Sequence, residues 1–283
     1  WIYEGFTSFY DDVTLARTGV IEPQKYLDIV AQNVSRLLQN AGRLKQTTAE
    51  SSFDAWTKFY KQDASATNNI VSYYTKGGII ALGLDLLLRR ESDNKVSLDM
   101  LMQLLWQNYG IEEKGTPDNV IQDLCKTHFD IDVSAYLDQV VYGTDDVELA
   151  SLVSEMGVDF HIRPRVSSDD KGGLTSQPAI VNQLGATLKP ASFGLTVVQV
   201  FEGLAAMDAG ILLNDVIIAL DGHVVNAQKF QRLLDNAQAS TVEITLIRDG
   251  RLLTLPLNVV KARTDMAFFT ITDQQKLSKW LAR

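Results

Sequence analysis

The stretch GLTVVQVFEGLAAMDAGILLNDVIIALDGHVV, residues 194–225, decides the fold class. Residues 194–201 carry a β-branched, strand-like pattern. Gly203, Ala206, Ala209 and Gly210 then supply a run of small residues, and DVIIAL (215–220) is a second strand closed by Asp221-Gly222. An Asp-Gly pair tolerates the positive φ angles that a tight hairpin turn requires, so the chain should reverse there. Downstream, AQKFQRLLDNAQ (227–238) has helical spacing, and VEITLIRDGRLLTLPLNVV (242–260) reads as a hairpin around Asp249-Gly250. A small β-rich domain with one long helix follows from this pattern.

Upstream the periodicity changes from two to between three and four. Pro23 opens a helix in which Tyr26, Ile29, Val30, Val34, Leu37 and Leu38 share a face until Gly42. Further helices are expected from near Val71 through YYTKGGIIALGLDLLLRR, from Ser97 as N-cap to Gly110, and from Thr116-Pro117 through VIQDLCKTHF. Two short helices are expected in residues 132–143 and 145–157. VDFHIRPRV (158–166) alternates like a strand and precedes a polar, Gly-containing segment. The tail from Asp265 is too apolar to stay unpacked. The expectation is an α+β chain: a helical unit over 1–157, strand and linker over 158–183, the β-rich domain over 184–262 and a tail with a helix over 263–283.

Composition bounds function loosely. The 283 residues carry a formal charge of -9, which disfavours nucleic acid and anionic membrane surfaces as partners. No apolar run is long enough for a membrane span, and a soluble cytoplasmic or periplasmic setting fits equally. The single cysteine, Cys125, reads as a buried structural thiol. His128, His161 and His223 have no metal-ligand spacing, and the Asp doublets lack the spacing of a calcium loop.

Two short motifs carry chemistry. The first is W-x-x-E-G-F-T at residues 1–7, where Glu4 sits among Trp1, Ile2, Tyr3 and Phe6. The second is Y-x-K-G at 74–77. Together they resemble the gluzincin metallopeptidases, in which a helix with H-E-x-x-H supplies two histidines and a downstream E-G-x-T/S segment supplies a third zinc ligand. The resemblance implies that Glu4 is that ligand and that Tyr74, rather than Tyr73, donates a hydrogen bond to the developing oxyanion. Glu4 as a surface or N-cap glutamate at a helix start is the alternative for that residue alone. Lys76 reads as a residue that solubilises the helix start, with substrate orientation as the alternative. Gly77 and Gly78 mark close packing or a first turn.

The β-rich domain resembles a PDZ domain of the bacterial type, on Gly203, Ala206, Ala209, Gly210, Asp215, Ile217, Asp221 and Gly222. A peptide-binding site at Leu184, Gly185, Ala186, Thr187 and Phe230 is implied, with a peptide or protein C-terminus added as an extra strand. Gln183 and Ala186 depart from the usual G-L-G-F loop, which weakens carboxylate capture. Phe230 fits a pocket or the core, and docking of the domain onto its own chain is the alternative to peptide binding.

The arrangement resembles the glycyl aminopeptidase family, whose members are zinc enzymes that remove N-terminal Gly or Ala from peptides. H-E-x-x-H is missing here, so Zn²⁺ is expected in the parent enzyme and little or none in this chain, which is expected to be inactive alone. A pseudoenzyme or PDZ scaffold, and a helical adaptor with coincidental motifs, are the competing readings.

Overall fold

The computed structural model describes residues 1–282. Nine α-helices come first among the described residues: α1 (Ile2–Arg17), α2 (Pro23–Gln39), α3 (Thr48–Phe53), α4 (Ala66–Asn69), α5 (Thr75–Glu91), α6 (Leu98–Leu105), α7 (Val120–Phe129), α8 (Ser134–Leu137) and α9 (Leu149–Ser154). Strand β1 (Val158–Pro164) follows. The second domain comprises β2 (Ala186–Pro190), β3 (Leu195–Val200), α10 (Ala205–Asp208), β4 (Val216–Leu220), β5 (His223–Val224), α11 (Ala227–Asp235), β6 (Thr241–Arg248) and β7 (Arg251–Asn258). The chain closes with β8 (Thr264–Ile271) and α12 (Gln274–Leu281). The α+β architecture is therefore present, and no described helix is long and apolar enough to cross a membrane.

There are two cores. Leu27, Val30, Ile80, Leu84, Leu88 and Leu101 belong to the first, together with Val158 of β1, Phe269 of β8 and Trp280 of α12. Antiparallel pairing of β1 with β8 and packing of β8 on α2 return the end of the chain to the helices. The second domain is thus spliced into the helical unit between two paired strands. Its own core holds Leu195, Val197, Ile217, Phe230, Ile244 and Leu246 around a sheet ordered β2-β3-β4-β6-β7, so that β2 is an open edge. Both Asp-Gly hairpins form, with φ of 46° and 72° at Asp221 and Gly222 and 48° and 75° at Asp249 and Gly250.

Helix starts depart from the sequence reading in two places, and at a third the start is as expected but the cap differs. The helix expected from Val71 begins at Thr75, because residues 73–74 turn and the Ser72 hydroxyl accepts from Thr75 N–H at 3.2 Å. The helix expected from Thr116-Pro117 begins at Val120, whose N–H bonds the Pro117 carbonyl at 3.1 Å in a preceding turn. Ser97 does stand at the N-cap of α6, but its side chain makes no cap bond; Asp85 Oδ1 of α5 accepts from Leu98 N–H at 2.9 Å instead.

A buried asparagine joins the halves. Asn68 donates to the Val200 carbonyl and accepts from Glu202 N–H, both at 2.9 Å, which satisfies the backbone just past the end of β3. Replacing it with Ala leaves these backbone groups unpaired, at about 1–3 kcal/mol. We expect Asn68→Ala to loosen the second domain from the helices while both cores persist, seen as faster hydrogen exchange confined to residues 198–203. Unchanged exchange there would remove Asn68 from this role.

Candidate functional site

Glu4 lies in the first turn of α1 and Tyr74 immediately before α5. The two helices cross at glycines. A Cβ on Gly5 would lie 2.7 Å from the backbone carbon of Gly77, and one on Gly77 would lie 2.9 Å from Gly5 Cα. Only hydrogen fits at that crossing, so the residues next to each glycine are brought to one place. This gives a physical reason for E-G and Y-x-K-G to occur as units. A Gly77→Ala variant must push α1 away from α5, and the expected cost is about 1–3 kcal/mol of stability. A thermal midpoint equal to that of the parent chain would contradict the tight crossing.

Tyr74 is set in an aromatic cluster. Its hydroxyl is 2.7 Å from that of Tyr60, which is also 3.3 Å from the Tyr73 hydroxyl. Phe59 stacks on Tyr74 at a centroid distance of 5.9 Å, and Tyr73 packs against it at 4.6 Å. The Tyr60 hydroxyl foremost, then Tyr73, partial burial and the Glu4 carboxylate push the Tyr74 phenol up from its ordinary range. It therefore keeps its proton across neutral pH, as a hydrogen-bond donor must. Tyr73 is buried, whereas Tyr74 is partly open.

The aromatic side chains of residues 53–60 were not picked out from sequence. Phe53 is 92% and Trp56 is 78% exposed, close in sequence to Tyr60. Four aromatics within eight residues, FDAWTKFY, were the available signal.

Lys76 corrects the sequence reading. It is fully buried rather than solvating the helix start, and its Nζ donates to the Thr144 carbonyl at 3.2 Å. Burial pulls its pKa down, opposed by Asp146. The first turn of α5 is covered by residues 143–146, and Asp146 is in turn paired with Arg43. The lysine tethers that covering turn.

Among the described residues no three His, Cys, Asp or Glu side chains come together as a metal site. Glu4 is one carboxylate, and a catalytic zinc takes three protein ligands, so the residues of this chain do not by themselves fit the ion.

In the second domain Leu184 and Gly185 precede the edge strand β2, which contains Ala186 and Thr187. Gly185 has φ of 82°, and a Cβ there would meet Leu204 Cβ at 2.2 Å, so glycine is required. Thr187 Oγ1 bonds Gln199 Oε1 at 3.0 Å. Phe230 belongs to the domain core and also lines a narrow groove between β2 and α11, with Leu184, Gly185, Ala186 and Leu188. Arg165 and Ile180, from the segment before the domain, line the same groove. Of the residues expected to bind peptide, Leu184, Gly185, Ala186 and Phe230 line this groove and Thr187 is bonded to Gln199 instead, while Glu4 and Tyr74 form a separate place in the helical unit.

Comparison with known proteins agrees with this division. Residues 1–80 match the M61 glycyl aminopeptidase family and residues 182–259 match the PDZ domain family. A crystal structure of an aminopeptidase N family protein from Idiomarina loihiensis superposes with a TM-score of 0.94 at 36% identity over 100% of this chain. The chain spans 48% of that protein's length. A serine endoprotease from Yersinia pestis matches 29% of the chain and 29% of its own length at 19% identity, with a TM-score of 0.26. A PDZ domain protein from Parabacteroides distasonis does so over 29% of this chain and 20% of its own, at 19% identity and a TM-score of 0.26. The comparison with curated proteins gave no match. The chain accordingly carries an M61 glycyl aminopeptidase segment at its N-terminus and, spliced in later, a PDZ domain.

Proposed function

We propose that this chain is part of a zinc-dependent aminopeptidase that removes small N-terminal residues, Gly or Ala, from peptides. One observation carries the reading: the Gly5–Gly77 crossing places a first-turn carboxylate, Glu4, beside a protonated, partly open phenol, Tyr74, inside the segment that matches the glycyl aminopeptidases. In this reading Glu4 is one metal ligand, and the remaining ligands and the general base belong to sequence outside these 283 residues. The length of the Idiomarina protein leaves room for them.

Tyr74 contributes a hydrogen bond to the oxygen that becomes negative as the peptide carbonyl is attacked. The aromatic side chains of Trp56, Phe59 and Tyr60 border that position and restrict the space for a substrate side chain. The PDZ domain adds a peptide to the open edge of β2, with Leu184, Gly185 and Ala186 at its C-terminal end and Phe230 beneath it.

The experiment compares two proteins. The longer protein should release Ala and Gly from small amide substrates in a chelator-sensitive manner. The 283-residue chain should retain well under one zinc per molecule and turn over none of them. Stoichiometric zinc and turnover in the isolated chain would overturn the assignment of the other ligands. Absence of aminopeptidase activity in the longer protein would favour the peptide-binding reading of the PDZ domain as the main function.

A further inference from the structure

The Tyr60 hydroxyl stands between two others, 3.3 Å from that of Tyr73 and 2.7 Å from that of Tyr74. Its backbone belongs to a turn rather than to a helix or strand, and the Tyr60 N–H bonds the carbonyl of buried Ala55 at 2.9 Å. The ring packs against Trp56 at a centroid distance of 5.1 Å and edge-on against Phe59 at 5.4 Å. Phe59 in turn packs on Tyr73 at 5.2 Å and on Tyr74 at 5.9 Å. One set of aromatic contacts thus carries all three hydroxyls.

A phenol has one proton to donate and lone pairs that accept. Three hydroxyls joined by two contacts leave one proton to point elsewhere, and the direction of the chain decides which tyrosine keeps it. Tyr73 is 6% exposed and its hydroxyl bonds that of Tyr60. A buried donor is costly to leave unpaired, so Tyr73 gives its proton to Tyr60. The 2.7 Å contact can run from Tyr74 to Tyr60 only while Tyr74 gives nothing to a substrate. Once Tyr74 donates to an oxyanion its single proton is spent, and Tyr60, which is half-exposed and has its own proton free, must be the donor.

We propose, on the reading of Tyr74 as the oxyanion donor, that Tyr60 is a positioning residue: it donates its hydroxyl proton to the Tyr74 oxygen and so turns the Tyr74 proton toward the oxyanion. Hydrogen bonds in a chain polarise one another, so Tyr74 becomes a stronger donor when it accepts from Tyr60. Tyr60 affects the rate only through Tyr74.

In the longer protein, Tyr60→Phe should lower kcat about tenfold with KM unchanged, because the ring stays against Trp56 and Phe59 and only the oxygen is lost. Added to Tyr74→Phe, the same change should cost less than about twofold more, whereas a residue that merely supports the fold would cost as much in either background. In the 283-residue chain, isotopically labelled at tyrosine Cζ, Tyr60→Phe should shift the Tyr74 resonance, which is identified by its loss in Tyr74→Phe. Wild-type kcat in Tyr60→Phe alongside an impaired Tyr74→Phe, or equal losses from Tyr60→Phe with and without the Tyr74 hydroxyl, would overturn the positioning role and leave Tyr74 as the donor. An unmoved Tyr74 resonance would overturn the contact itself. Wild-type kcat in Tyr74→Phe, or a longer protein without aminopeptidase activity, would overturn the reading of Tyr74 and the positioning role with it.

Discussion

In the proposed reaction, replacing Tyr74 with Phe in the longer protein is expected to lower kcat about 10²–10³-fold with little change in KM, the scale of loss when one oxyanion donor is deleted. The substitution removes a single oxygen. The ring stays between Phe59 and Tyr73 at the observed 5.9 and 4.6 Å, so packing and substrate access are preserved. A donor that acts only on the charged intermediate affects kcat and kcat/KM together, whereas a substrate-binding residue raises KM. Tyr73→Phe is the control. Tyr73 is buried and its hydroxyl meets Tyr60 at 3.3 Å, so its loss should change kcat less than about threefold, under 1 kcal/mol. If Tyr73→Phe is the more damaging of the two, the donor has been assigned to the wrong tyrosine. A Tyr74→Phe enzyme with wild-type kcat would remove the hydroxyl from the reaction altogether.

How far the sequence discloses this depends on the range of the interaction. The β-rich domain was legible because its determinants are local: Asp-Gly turns, strand alternation and the Gly203–Gly210 spacing act within a few residues. Gly77 was legible as a mark of close packing, yet its contact with Gly5 spans more than seventy residues, and only the resemblance that joined their two motifs put them together beforehand. Tyr60 escaped notice because its role is set by a tertiary meeting with Tyr74, and a surface aromatic has no periodicity to announce it. Lys76 was misread for a related reason. A lysine at a helix start is normally solvated, and nothing near it in sequence says that residues 143–146 will cover it. Ser97 shows the same limit at a cap, since the acceptor comes from a different helix.

Asp85→Ala is expected to destabilise the helical unit by about 3–5 kcal/mol, the usual cost of removing one partner from a buried, hydrogen-bonded ion pair. Asp85 is fully buried in α5 and its two oxygens serve three partners from three helices. Oδ2 accepts from Arg89 Nε at 2.9 Å and from Trp280 Nε1 at 3.1 Å, and Oδ1 accepts from Leu98 N–H at 2.9 Å. Truncation leaves a guanidinium, an indole N–H and a helix-start N–H unmet in the interior. It also loosens α12, which packs into the helical unit through Leu277, Trp280 and Leu281 and follows β8, itself paired with β1 and packed on α2. Chemical denaturation followed by tryptophan fluorescence should show a lower midpoint. The double variant Asp85→Ala/Arg89→Met tests the cause, because it removes the stranded charge as well as its partner. It should recover part of the loss, and a double variant as unstable as Asp85→Ala alone would place the cost in the unmet Leu98 and Trp280 donors rather than in the buried guanidinium.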